Sequence, residues 1–122
     1  MSEPKILELE KKIDDFIDLE TEVEITDEIE FDETIANTHF YKKGNMVYFL
    51  YQGQGKTHSA GDVLFTVPAK YKPKYQTHFP FVKNNQAYGT VSFSEVTGIA
   101  NVNMISSSAN GRIYINGIYT IA

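Results

Sequence analysis

Cysteine is absent from this 122-residue sequence. Its absence excludes a disulfide scaffold, a cysteine-ligated zinc site and thiol catalysis. No apolar run approaches the roughly 18–20 residues that a membrane-spanning helix needs, so we expect no membrane insertion. The first residues carry Glu3, Glu8 and Glu10 where a secretory signal would carry basic residues, and we expect no signal peptide there.

Acidic residues are scarce after residue 33, where only Asp62 and Glu95 stand against seven lysines and Arg112. The first 33 residues hold the other 14 acids and three lysines. The net charge of −5 therefore combines −11 for residues 1–33 (three minus 14) with +6 for residues 34–122 (eight minus two). Such an asymmetry predicts two parts with different roles.

Signatures of catalysis and of metal binding are also missing. Glycoside hydrolysis uses two carboxylates that flank the scissile bond, and the basic part offers only Asp62 and Glu95. No Gly-x-Ser-x-Gly nucleophile elbow occurs. His39, His58 and His78 are far apart in the chain and form neither a His-x-His pair nor a His-Glu-x-x-His motif. We therefore predict no enzyme, no metal site and no cofactor.

The pattern over residues 4–20 predicts an amphipathic helix. Pro4 suits its first turn, and the apolar residues that follow are spaced like the a and d positions of a coiled coil. A lone helix of this length is marginal in water, so it should pack on copies of itself or, alternatively, on its own domain. Isoleucine at a weakly favours three strands. The predicted trimer contacts of the helix are Ile6, Leu9, Ile13 and Phe16.

From Leu19 the apolar period changes to two, with acidic residues on the opposite face. A single hairpin of this kind is marginally stable. Three copies around an axis could bury its apolar face and leave the acids in solvent. The trimer contacts expected there include Val23 and Ile25, together with Ile29 and Phe31. The sequence thus predicts a helical stalk over residues 1–20 and a β neck over residues 21–39.

From residue 40 to residue 122 the chain predicts a β head, an antiparallel barrel or sandwich. Short apolar segments alternate with turns rich in Gly, Pro and Asn at even spacing. The segment 46–51 is apolar almost throughout, as in a strand buried on both faces. Pro73 and Pro80 argue against a regular central strand over residues 71–80.

Several segments of the head resemble the head domains of bacteriophage tail receptor-binding proteins. Residues 61–73 are similar to the stretch Gly-x-x-Leu-x-x-Leu-Pro-x-x-Tyr-x-Pro of that family. Residues 89–93, 98–102 and 111–119 are similar, in the same order, to its later β segments. The resemblance covers about residues 40–122.

The resemblance implies a homotrimer at the tail tip or baseplate of a virion, acting at the host cell surface. In that family an N-terminal coiled coil attaches to other baseplate or tail proteins, and the β head binds host cell-wall saccharide. Saccharide binding needs an apolar platform with fixed hydrogen-bonding groups, and lysines would meet anionic wall polymers. The residues expected to contact the saccharide lie in loops and turns: Tyr71, Lys74, Tyr75, His78, Asn84, Asn85 and Arg112.

Two other functions stay open. The protein could be a structural, trimeric tail or baseplate component whose head binds another protein. A single-stranded nucleic-acid-binding β-barrel is less favoured: the head is basic and aromatic, but the acidic stalk would repel phosphate. We therefore predict a saccharide-binding attachment protein with no nucleic-acid partner.

Overall fold

The computed structural model describes residues 21–84, 86–108 and 110–122. The prediction of a mainly β, antiparallel fold is confirmed over these residues, and the predicted helix with Ile6, Leu9, Ile13 and Phe16 lies outside them. The strands are β1 (Glu22–Glu24), β2 (Glu30–Phe31), β3 (His39–Lys43), β4 (Met46–Gln52), β5 (Lys56–Thr57), β6 (Val63–Thr66), β7 (Thr77–Lys83), β8 (Tyr88–Phe93), β9 (Ile99–Ile105), β10 (Asn110–Gly111) and β11 (Ile113–Thr120).

Nine of these strands form one curled antiparallel sheet, a half-barrel. Their order across the sheet is β1-β3-β4-β11-β7-β8-β9-β6-β2, while β5 and β10 pair with each other. Two 3-10 helices, Thr26–Glu28 and Ala69–Tyr71, lie in the connections. Long β11 therefore sits between β4 and β7, near the middle of the sheet.

Aromatic rings fill the inner face of the curled sheet. Phe40 and Phe49 stack with ring centroids 4.7 Å apart, and Phe65 meets both rings edge-on. Phe93 contacts Phe65 and, at 4.9 Å, the ring of Tyr119. Offset stacking and edge-on contact are the arrangements that aromatic pairs prefer. One curled sheet thus encloses a core of its own.

Strand β4 shows that the sheet is covered on one side only. Val47, Phe49 and Tyr51 point into the core, whereas Leu50 is 49% exposed and Tyr48 is half-buried. The prediction that this segment is buried on both faces is therefore wrong. A half-barrel has a single layer, so the alternate side chains of β4 lie on its outer surface.

Strand β7 is regular from Thr77, so the prediction against a strand over residues 71–80 is wrong for residues 77–80. Its pairing with β11 runs from Lys83 to Phe81 and ends just before Pro80. Proline has no N–H to donate to a neighbouring strand. Because Pro80 lies beyond that ladder and is paired only with Thr90 of β8, the proline is tolerated.

The acidic residues 21–33 join the head instead of forming a separate neck. Strand β1 pairs with β3 at one edge of the sheet, and β2 pairs with β6 at the other. The first 3-10 helix connects these two edges. Ile25 and Ile29 are consequently buried in the core of their own chain rather than between copies, while Val23 is 52% exposed.

Candidate functional site

The outer face of β3, β4 and β11 carries an uncharged surface that we call the outer platform: Tyr41, Tyr48, Leu50, Asn116 and Ile118. Strand register sets Tyr48 opposite both Tyr41 and Ile118, and Leu50 opposite Asn116. The rings of Tyr41 and Tyr48 lie 5.3 Å apart at 31°. Ile118 is 58% exposed. Alternation along three neighbouring strands therefore builds one apolar face that is open to solvent.

The outer platform is concave. Its residues line a depression of about 480 Å³ together with Phe49 and Gly117. A Cβ at Gly117 would lie 2.6 Å from the Phe49 ring and 2.8 Å from the Phe79 ring, so glycine lets these rings pack directly beneath the strand. Asn116 adds an amide donor and acceptor to an otherwise apolar lining. An apolar hollow with a few polar groups is typical of a small-molecule site.

A second depression, of about 250 Å³, adjoins the first. It is lined by Pro80, Phe81, Val82, Tyr114 and Asn116, so Asn116 belongs to both depressions. Val82 and Tyr114 are cross-strand neighbours on β7 and β11 and are 56% and 36% exposed. The uncharged outer face therefore continues across β11 onto β7.

The rim of the outer platform holds a hydrogen-bonded histidine and glutamate. His39 stacks on Tyr41 at 5.8 Å, and its Nδ1 lies 2.8 Å from Oε2 of Glu24. Hydrogen bonds from His39 and Thr26 hold the pKa of the Glu24 carboxyl below its usual value. The carboxylate next to the platform is thus already engaged within the chain.

A second group of ionisable residues is buried inside the head. Oε2 of Glu33 lies 2.6 Å from Nε2 of His58, and the two side chains are 5% and 0% exposed. Lys83, 3% exposed, donates from Nζ to the carbonyl of Lys56 at 3.1 Å. Burial lowers the pKa of Lys83, and the charge of Glu33 opposes that shift. These side chains are enclosed, so the cluster stabilises the packing of the segments that carry it. It presents no surface to a ligand.

Among the predicted saccharide contacts, Tyr71 is enclosed in the fold. Its side chain is 7% exposed, and its hydroxyl donates to Oε2 of Glu28 at 2.7 Å. Its carbonyl accepts from the hydroxyl of Tyr119 at 2.9 Å. Burial, followed by the hydrogen bond to Glu28, raises the pKa of the Tyr71 hydroxyl. Tyr71 thus ties the acidic segment and the last strand to the second 3-10 helix.

The other predicted contacts fall into two groups near opposite ends of β7. Tyr75, which is 70% exposed, and His78 lie at its beginning, with Nζ of Lys74 5.6 Å from the Tyr75 ring centroid. At its other end, Oδ1 of Asn84 accepts from the backbone N–H of Arg112 at 2.9 Å. A seven-residue strand is roughly 23 Å long, so these groups do not form one site. Asn85 lies outside the described residues.

Sequence reasoning missed the outer platform altogether. The available signal was the alternation in β11, where Tyr114, Asn116 and Ile118 share one side of the strand. The matching side chains of β4 were not recognised as exposed, because the apolar run of this strand resembles a strand that is covered on both faces.

Among the described residues, no group of three or more His, Asp or Glu side chains is arranged to hold a metal ion. The same part of the chain contains no helix long and apolar enough to cross a bilayer. No protein-family model matches the sequence, and no curated protein matches it either.

Proposed function

We propose that this protein is an attachment protein of a phage tail, and that its β head binds a saccharide of the host cell surface at the outer platform. One observation carries the binding proposal: an open, uncharged hollow with paired tyrosine rings and an amide. Sugar rings present apolar faces and hydroxyl edges, and such a hollow offers stacking surface and hydrogen bonds to both. The resemblance of residues 40–122 to phage head domains suggests the biological setting.

Binding of labelled protein to isolated bacterial cell-wall polysaccharide tests this function. Tyr48→Ala removes one ring of the platform, and we expect the affinity to fall about tenfold or more, as for a central contact residue. Tyr75→Ala is the matched control, because it removes an exposed tyrosine away from the platform. Equal loss in both variants, or full binding by Tyr48→Ala, would contradict the proposal.

We also propose that the chain acts as a homotrimer, with residues 4–20 forming a three-stranded coiled coil that docks on another tail or baseplate protein. The heptad spacing of Ile6, Leu9, Ile13 and Phe16 supports this. Phe16→Asp should lower the molar mass in light scattering towards the 13.8 kDa of one chain. Asp15→Ala, on another face of the predicted helix, should leave the mass unchanged. An intact protein that is already monomeric would refute the trimer.

A structural tail component that binds a protein through the same face is the second candidate. The exposed apolar side chains continue past the platform to Val82, Tyr88 and Met104. Contiguous apolar surface of this kind is typical of protein interfaces. Retained binding to a purified tail protein, without binding to any wall polysaccharide, would favour this candidate.

A further inference from the structure

The outer platform is one half of a longer groove. Its depression and the second depression share Asn116, and they lie on either side of β11, over β4 and over β7. Neighbouring strands are about 4.8 Å apart, so the two hollows are roughly 10 Å from centre to centre. A single sugar ring is too small to reach both hollows. The separation corresponds to the first and third rings of a linked chain, because adjacent rings lie much closer together.

Neither hollow carries charge. Among the described residues that line them, all are apolar or aromatic side chains, glycine, proline or Asn116. Two lysines of the basic head are engaged elsewhere: Lys70 pairs with Glu28 at 2.6 Å, and Lys83 is buried. A phosphate-bearing polymer would find no counter-charge in this lining, whereas a neutral sugar needs none.

We propose that the two hollows are the outer subsites of one groove that binds a neutral oligosaccharide of at least three sugar units, laid across β4, β11 and β7. Tyr48 and Ile118 hold the first ring, and Val82 with Tyr114 hold the third. Asn116 lies at the junction, where its amide donates to one hydroxyl group and accepts from another. This inference rests on the proposed function and names the ligand class of the same site.

The length dependence of binding tests the groove. We would titrate the intact protein, by NMR, with glucose, maltose and maltotriose, with the matching mannose and N-acetylglucosamine series, and with a glycerol phosphate trimer. For at least one neutral series, the affinity should rise about tenfold or more from one unit to three. It should also change little between about 50 and 200 mM salt, in contrast to binding driven by charge. No binding of any neutral sugar, no gain with length, or preferred binding of the phosphate trimer would overturn the proposal.

Substitution at the second hollow separates this inference from the proposed function. Val82→Ser should reduce the affinity for the trisaccharide towards that for the single sugar. Val96→Ser is the control, because Val96 is an exposed valine on the turn between β8 and β9. If both variants bind the trisaccharide like the intact protein while Tyr48→Ala does not, the second subsite is refuted and the attachment function stands. If Tyr48→Ala also binds fully, the function at this platform fails as well.

The oligomeric state supplies a further readout. If the groove binds sugar rather than another copy of the chain, Val82→Ser should sediment like the intact protein. Sedimentation as a smaller species, together with no sugar binding by the intact protein, would identify the groove as a contact between copies of the chain and overturn the proposal.

Discussion

Glu33 is the residue on which several buried polar side chains of the head converge. Its Oε2 contacts His58, its charge acts on the buried Lys83, and it faces the hydroxyl of Tyr51. A side chain on Gly53 would collide with Oε1, so glycine is what admits the carboxylate. A buried charge is tolerated when it is paired. Removing one partner leaves the charge of the other uncompensated. Glu33 therefore adds a buried contact to the strand pairings that hold the acidic segment on the head.

Replacing His58 should weaken the fold more than replacing an exposed histidine. His58→Ala leaves Glu33 buried without its nearest partner, and we expect the free energy of unfolding to fall by about 3 kcal/mol. Urea denaturation measures this change. His39→Ala is the control, because His39 and its partner Glu24 are about half exposed and an exposed pair contributes little. Unfolding of both variants at the same urea concentration would show that the buried pair does not stabilise the head.

At the scale of strands, the register between β8 and β9 depends on a close approach of two backbones. Their pairing shifts between Thr90 and Val91, and Gly89 lies directly against the carbonyl of Met104. The ring of Phe81 lies 2.7 Å from where a Cβ at Gly89 would be. A side chain at this position can be accommodated only if a strand moves.

Gly89→Ala should therefore destabilise the protein, by about 2 kcal/mol, which is usual for overpacking in a tight core. Thermal unfolding followed by circular dichroism would detect the change as a lower Tm. Ser92→Ala in the same strand removes only a half-buried hydroxyl, and its Tm should stay close to that of the intact protein. A Gly89→Ala protein as stable as the Ser92→Ala protein would mean that β8 and β9 separate here without strain.

Local sequence patterns predicted the type of most strands but not which of their faces is covered. The short apolar segments between turns that the sequence showed include β6, β7 and β8. The burial of β4 on one face only follows from the number of layers, which a strand pattern does not encode. Pro80 is accommodated because of where the β11 ladder ends, which is a long-range property.

At the scale of the whole molecule, the acidic segment and the basic head contact each other within one chain. Three carboxylates of the acidic segment contact the basic head: Glu24 meets His39, Glu28 meets Lys70, and Glu33 meets His58. The expected separation of acidic stalk and basic head therefore does not apply to residues 21–33. The alternating acids indicated strands in this segment. Their partner strands β3 and β6 are distant in the sequence, so the local pattern could not predict that the segment pairs with the head.

Acid should loosen this segment before it affects the middle of the sheet. Hydrogen bonds from Lys70 and Tyr71 lower the pKa of Glu28 below its ordinary 4.5, and those from His39 and Thr26 lower that of Glu24. A carboxyl with a lowered pKa stabilises the fold above its ordinary pKa, and this stabilisation disappears as the pH falls through the lowered value. We therefore expect β1 and β2 to lose protection from hydrogen exchange, corrected for the intrinsic rate, between pH 7 and pH 3, while β11 keeps it longer.

Glu28→Gln should show reduced protection of β2 already at pH 7. Glu95→Gln, the same change on the turn between β8 and β9, should not. If all strands lost protection together, the segment would be an inseparable part of the head and its ion pairs would not control its docking.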